Sequence, residues 1–556
     1  MRHSNYSFHH SPYHWSQYGA GIPVFRGGAI QRGYGLGGIF RGLLRSAAPV
    51  LKKGLIDVGK RAVKTSMETL SDIANGESAK VALKRRAKQN LNEMVATALH
   101  NKKRKATSNS LIRSQSVKGI AKTNSSHLEC TLSDTDVFTP AFVQSDIEHG
   151  CFEDIFPITN LDDNGPVEFS IDNATNKFLD LVSSTLNVKC RVTKADGTNL
   201  TATDGAVALI NYPISSLFSQ VDVSIGGSII SSSTNTYSYR AFIETLLNYG
   251  EEAKKSQLTM GLFAKDTSGH MDASDAAAGD NAGLVKRQGY TARSRIVELS
   301  GRLHCDIFNQ GRLLLNGLSL KITLHRNKDA FCLMTNGDNP DFKVKFVDVS
   351  LRLRKLQLTP KKFEMIQTSL ERTPACYPIN RVQIKTHSLA AGLTSLNWDN
   401  AILGKLPNRL FIAFTDNDAH TGSYVKNPFN FKHFNVTSIG VYVNGESLPA
   451  NPMKLNFPGG HYLQGYRSLF TATGKINRDE GLDINREEYS DGYSLFGFDL
   501  SPSLCNGEHY EPQRQGSIRI ALEFGTALPN TITVFMYADF ENTIHVNKAR
   551  NILKDF

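Results

Sequence analysis

Cysteine is scarce in this chain and badly placed for cross-linking. Seven occur in 556 residues: Cys130, Cys151, Cys190, Cys305, Cys332, Cys376 and Cys505. They are odd in number, far apart and never form a C-x-x-C pair. The pattern excludes a disulfide framework or a zinc ribbon and predicts reduced thiols in cytosol or nucleus. Sequons such as Asn173-Ala174-Thr175 are then accidental. A run of ~20 apolar residues that could span a bilayer is missing. The first residues, Met1 to Tyr6, lack the apolar core of a secretory signal, so the chain is expected not to be secreted. Also missing are a Gly-rich phosphate loop, a G-x-S-x-G elbow and an H-E-x-x-H helix. No catalytic residues, metal ligands or cofactor are therefore expected, and the chain is read as a non-enzyme.

What the sequence does have is a division of charge. Residues 1–125 carry 22 Lys and Arg against 5 Asp and Glu, a balance of +17. The remaining 431 residues carry 63 − 22 = 41 positive and 52 − 5 = 47 negative side chains, a balance of −6. The overall +11 averages a strongly basic arm with a mildly acidic body. A basic arm on a near-neutral body points to a polyanion, either nucleic acid or an anionic membrane, with a solvated tail as the plainer alternative.

Residues 1–38 are rich in Tyr, His, Ser and Gly without apolar periodicity and are expected to be disordered. Residues 39–126 form a basic amphipathic arm and linker. There Phe40, Leu43, Leu44, Ala47, Leu51, Leu55, Val58 and Ala62 recur in steps of three and four, as one stripe of a helix does. Arg41, Arg45, Lys52, Lys53, Lys60 and Lys64 take the other face, and Pro49 breaks or restarts the helix. A second helical stretch covers Glu77–Leu99 and carries Lys84, Arg85 and Arg86. These nine basic residues are the candidates for phosphate contact. Membrane binding and docking to another protein remain open for the same helices. Lys102, Lys103, Arg104 and Lys105 read as a short nuclear-import signal, and a Ser/Asn/Lys-rich linker follows.

The body exceeds what one core supports, so two domains of about 200 residues are expected, at 127–341 and 342–556. Short β-branched or alternating runs fill it: Val167–Ile171, Leu186–Val192, Gln220–Ile225, Arg295–Leu303, Leu318–Leu324 and Lys343–Leu353 in the first part. Leu410–Phe414, Ser438–Val443, Leu495–Leu500, Ile518–Phe524 and Thr531–Phe540 follow in the second. Turn signals punctuate them at 163–166, 195–197, Gly226-Gly227, 337–340 and Asn444-Gly445. Helices are expected at Arg240–Tyr249 and Tyr462–Thr473, in similar places within the two halves. Many short strands in two blocks suggest tandem sandwiches or jelly rolls. Residues 269–283, small and acidic, read as a long exposed loop. His304 and His325 fall in strand-like segments and are expected to be packed core histidines. Asp416, Asp418 and His420 could hold a cation, although an Asx turn explains them more simply.

Several strings resemble the major capsid proteins of Polinton/Maverick elements and adintoviruses, in the adenovirus hexon-like lineage. They include Ser216-Leu217-Phe218-Ser219-Gln220-Val221-Asp222-Val223 and Asn235-Thr236-Tyr237-Ser238-Tyr239-Arg240-Ala241-Phe242-Ile243-Glu244-Thr245-Leu246-Leu247. Asp306-Ile307-Phe308-Asn309-Gln310, Arg326-Asn327-Lys328-Asp329-Ala330-Phe331 and Asn427-Pro428-Phe429-Asn430-Phe431-Lys432-His433 belong with them. So do Ser468-Leu469-Phe470-Thr471-Ala472-Thr473-Gly474-Lys475 and Arg550-Asn551-Ile552-Leu553. The likeness runs in order from about Leu132 to Phe556. It implies a mainly β double jelly roll and a structural role in an icosahedral double-stranded DNA particle, located in the virion capsid and in host nucleus or cytoplasm during assembly. It also implies homotrimers forming pseudo-hexameric capsomers and a minor capsid or penton partner, with genomic DNA on the arm ahead of a membrane. The runner-up is a domesticated or defective element product that forms no particle. Gly27-Gly28 and Gly37-Gly38 resemble sites cut by adenovirus-type proteases and are candidate processing points.

Overall fold

The computed structural model describes residues 143–556, apart from 163–164, 174–175, 202–203, 205, 232–233, 338–339 and 505–508. The basic arm, its helices, its import signal and both Gly-Gly pairs lie outside the described residues.

The body is built of antiparallel strands. The first ten are β1 (Ile147–Ile155), β2 (Val167–Ile171), β3 (Lys177–Lys194), β4 (Val207–Leu209), β5 (Phe218–Ile225), β6 (Ser228–Ile229), β7 (Val297–Gly301), β8 (Leu320–Arg326), β9 (Leu333–Thr335) and β10 (Phe342–Leu358). The next ten are β11 (Ala375–Leu389), β12 (Ser395–Lys405), β13 (Arg409–Asp416), β14 (Val436–Val443), β15 (Glu446–Ser447), β16 (Met453–Lys454), β17 (Leu495–Asp499), β18 (Gln515–Phe524), β19 (Ile532–Val546) and β20 (Ile552–Lys554). Three helices matter below: α1 (Tyr237–Asn248), α2 (Pro360–Arg372) and α3 (Leu463–Ala472).

Strand order shows a repeat. The first half has one sheet ordered β1-β10-β3-β7 facing another ordered β2-β8-β5-β6. In the second half the orders are β11-β19-β13-β17 and β12-β18-β14-β15. Position for position these are the same arrangement, with first beside last and second beside next-to-last. Each half is a jelly roll built on eight strands, with β4, β9, β16 and β20 outside these paths, and the helix falls between β6 and β7 in the first half (α1) and between β16 and β17 in the second (α3). The expected mainly β tandem is what folds.

Local sequence explains the turns and faces. Asn444 and Gly445, joining β14 to β15, both adopt positive φ (53° and 90°), as do Gly226 and Gly227 between β5 and β6 (53° and 79°). Two left-handed central residues match the right-handed twist of the flanking strands. In β10, Val349, Leu351 and Leu353 are buried while Val347 and Arg352 face out, the period-two pattern of a sheet with one covered face.

Two expectations need correcting. The boundary at 341/342 is displaced, because β10 pairs with β3 and β1 of the first jelly roll over its length. The strand partners change across α2, so the Pro340 turn serves as an ordinary loop before the last strand of the first barrel. Second, residues 269–283 are an exposed loop only in part, with Gly269, His270, Ala277, Ala278, Gly279 and Asp280 in solvent and other positions anchored. Met271, Ala276 and Asn281 are buried, and the carboxylate of Asp272 accepts from the backbone N–H of Asn427 and pairs with Lys432 at 2.7 Å. Acidic side chains can anchor a loop when their cations lie on another element, and composition does not reveal that pairing.

Candidate functional site

The chemistry of the body is concentrated where one jelly roll meets the other. Helix α1 carries two charges, Arg240 and Glu244, one turn apart, and each residue from Tyr237 to Leu247 is buried. A fully buried helix with two charges must supply their partners itself or borrow them. Arg240 Nε donates to Glu244 Oε1 at 2.9 Å, and its terminal nitrogen donates to Asp306 Oδ1 at 2.6 Å. Asp306 in turn accepts the backbone N–H of Val382 in β11 at 3.2 Å. Glu244 Oε2 lies 2.8 Å from His304 Nδ1, and Tyr537 in β19 donates its hydroxyl to Glu244 Oε1 at 3.4 Å. One network thus runs from the first barrel into two strands of the second.

Burial by itself would raise the Glu244 carboxyl, but the Arg240 and His304 contacts outweigh it and hold the group at about 2. Burial lowers His304, so its ring is neutral at pH 7 and its Nδ1–H donates to Glu244. Asp306 is raised, because burial outweighs its single guanidinium partner.

Apolar contacts flank the network. The Tyr239 ring lies 4.2 Å from that of Phe535 in β19, and Phe242 stacks on Phe429 at 4.1 Å with 11° between planes. Such pairs add about 0.5–1.5 kcal/mol each beyond their buried area. Below them the segment from Lys265 to Asp272 acts as a strap. Lys265 bonds both Glu488 carboxylate oxygens at 2.8 Å, Tyr493 donates to the Asp266 carbonyl at 2.8 Å, and Lys432 joins Asp272 to Asp416. Gly492, at φ 119°, has no room for a Cβ, which would meet the Met271 sulfur at 2.3 Å.

The residues singled out from sequence fall as follows. His304 is the core histidine expected, and its ring bonds Glu244 of α1 within the first barrel. His325 pairs with Asp222 at 2.9 Å on a half-exposed strand face. Asp416 takes Lys432 and Asn530, while His420 turns away to the Tyr239 hydroxyl at 3.4 Å, so these two do not converge with Asp418 on one point. Among the described residues no group of His, Cys, Asp or Glu is placed to hold a metal. Five cysteines are described, all as free thiols, and burial pushes Cys190 and Cys305 up to about 12. No described helix is long and apolar enough to cross a membrane. The Arg240–Glu244–Asp306 network was missed in the sequence. Its signal was an i, i+4 charge pair inside a helix with no other charge, and a Tyr-Arg pair repeated in both halves, Tyr239-Arg240 and Tyr466-Arg467.

Comparison with known proteins bears on the fold. No family model matches the chain. An uncharacterized protein of Caenorhabditis elegans, F54H12.2, is 26% identical over 404 residues, covering 70% of this chain and 93% of that one. Among solved structures, a chain of the Sputnik virophage superposes with a TM-score of 0.52 at 12% identity, covering 77% of this chain and 93% of the other. The two share a fold. The mavirus major capsid protein is also similar, with a TM-score of 0.44, 10% identity and coverage of 80% and 95%.

Proposed function

We propose that this chain is a major capsid protein, a structural subunit whose activity is assembly. The observation that carries the reading is the pair of equivalent jelly rolls held side by side by a buried network, in a fold shared with a protein of a virus particle. Three such chains would present six similar walls, and closed rings are the usual outcome for homo-oligomers. The strings quoted above favour a Polinton- or adintovirus-like particle, with a minor capsid or penton protein as partner. In this reading the basic arm faces double-stranded genomic DNA, is cut at Gly27-Gly28 or Gly37-Gly38 by an adenovirus-type protease, and directs nuclear import through Lys102–Lys105.

Mass photometry of the purified full chain, with negative-stain microscopy of the same sample, tests the assembly reading. Trimers and closed shells are expected, and a persistent monomer at micromolar concentration overturns it. The arm is tested separately by binding full-length protein to duplex DNA across a salt series. Affinity should fall steeply with salt and be indifferent to sequence. Salt-independent binding together with leakage of anionic vesicles would transfer the arm to a membrane role.

A further inference from the structure

Arg240 carries more donors than the seam uses. Of its five N–H groups, one goes to Glu244 and one to Asp306, and among the described residues the other three meet no acceptor. The side chain is only 8% exposed, which leaves bulk solvent little access to them. Asp306 shows the complementary shortfall. It meets Arg240 and Val382 through Oδ1 alone, and its Oδ2 is buried with no hydrogen bond among the described residues. Unspent donors and an unspent acceptor in one buried contact each cost free energy unless something joins them.

A cavity lies beside this contact. Val221, Thr236 and Arg240 of the first jelly roll line it on one side, and Val382 and Ile384 of β11 on the other. Cys305, the chain neighbour of Asp306, lines it too, so the groups around the Asp306 carboxyl border the space. Its volume is about 20 Å³, enough for one water molecule and too small for a phosphate or an organic ligand. Hydroxyls complete the lining. Ser231 accepts the backbone N–H of Val223 at 2.9 Å, and Thr234 and Thr236 pair at 2.9 Å. Thr236 is the N-cap of α1, where a threonine hydroxyl ordinarily accepts from the first turn. Here it makes no cap bond and lines the cavity instead.

We infer that the seam holds one ordered water molecule, which accepts from the Arg240 guanidinium and donates to Asp306 Oδ2, with a lining hydroxyl as its third partner. The occupant must donate and accept at once, and that selects water over other small species. A halide can only accept and would lie beside the Asp306 and Glu244 carboxylates, whereas a metal cation would face the guanidinium. Three polar partners are usual for a buried water. The bridge ties α1 to Asp306 and, through the Val382 contact, to β11, so solvent as well as side chains closes the seam. This site is independent of the capsid reading.

Crystals of the full-length protein, refined to a resolution that shows ordered solvent, give the direct test. A fully occupied peak within about 3.2 Å of an Arg240 nitrogen and of Asp306 Oδ2 is expected. A map without that peak overturns the inference. Soaking in bromide separates water from an anion: no anomalous signal should appear at the site, and a bromide peak there overturns the assignment to water. A second measurement needs no crystal. Val221→Ile and Val382→Ile each add a methylene at the cavity wall. Filling a dry cavity raises stability, whereas expelling a bridging water strands Arg240 and Asp306. Each variant should therefore melt about 2–4 °C below wild type. A rise in melting temperature in either variant would show the cavity to be dry and overturn the inference.

Discussion

Strands β10 and β19 hold the same place in two barrels of the same order, yet one is wrapped on a single face and the other on both. Topology sets which strands pair. What a strand must tolerate on its outer side depends on its neighbours, and here that difference is carried by a few residues. Arg240 and Arg467 sit in corresponding helices beside corresponding tyrosines. One is sealed among Glu244, Asp306 and the backbone of β11, and the other stands in solvent. The pair separates what an arginine does for stability when buried from what it does when exposed.

The largest expected effect breaks that comparison directly. Arg240→Ala leaves two buried carboxylates without their cation and should cost about 3–5 kcal/mol of stability, as removal of one member of a buried ion cluster does. Arg467→Ala should stay within about 0.5 kcal/mol, like other exposed substitutions. Chemical denaturation of the two variants beside wild type measures both. Equal losses would show that the seam does not depend on the network.

Next comes the strap. Gly492→Val places a side chain against the Met271 sulfur at a backbone φ of 119° and should cost about 3 kcal/mol through strain and overpacking. Gly227→Val serves as the control, since it has positive φ with nothing within 4 Å and carries the backbone penalty alone. If the two variants melt together, the close approach of residue 271 to the second barrel is wrong.

Acid should weaken the seam by a smaller amount. His304 is depressed below 6.5 and Glu244 from 4.5 to about 2. For both, the unfolded chain takes up protons first, so their stabilisation is complete above about pH 6.5 and is lost in two steps on acidification, through the His304 range and then from 4.5 toward 2. Asp306, raised above 3.8, opposes part of the lower step because the folded chain holds its proton more tightly. Melting temperature measured from pH 7 to pH 4 should fall, and Glu244→Gln should lower it at pH 7 while flattening the part below 4.5. A wild-type profile that rises on acidification contradicts the assignment of a neutral His304 donating to an ionised Glu244.

Much of the scaffold was readable in the sequence because its signals are local. Val167–Ile171 is β2, the alternation at 343–353 falls within β10, and the two helices appear at their expected places in equivalent positions of the two barrels. Strands β11 and β12 were not anticipated, since Pro378 and the run from Asn397 to Asn400 interrupt their patterns. The seam was illegible for a different reason. Arg240 and Asp306 are 66 residues apart and Asp306 and Val382 are 76 apart, so the meaning of each charge depends on a partner that only folding brings near. The same holds for the anchored part of 269–283, where Asp272 is held by Lys432 and by the backbone of Asn427. The break at 341/342 failed because a turn signal reports a change of direction and not a change of sheet.

The smallest effect sharpens the comparison between the two excursions that precede β7 and β17. Each contains a short helix with an Asn cap. Asn281 accepts from the backbone of Leu284 and also of Thr267, whereas Asn485 accepts from the backbone of Glu487 and Glu488 and donates its own backbone N–H to the Glu488 carboxylate. An N-cap removed to Ala costs about 1 kcal/mol. Asn485→Ala should lose about that much and no more, since its cap is solvent-exposed. Asn281 is 1% exposed and also fastens the strap to its own helix, so Asn281→Ala should exceed that figure and raise hydrogen exchange from Lys265 to Asp272. Equal costs for the two caps, with exchange in the strap unchanged, would mean that the strap is held by its ion pairs to the second barrel and gains nothing from the helix behind it.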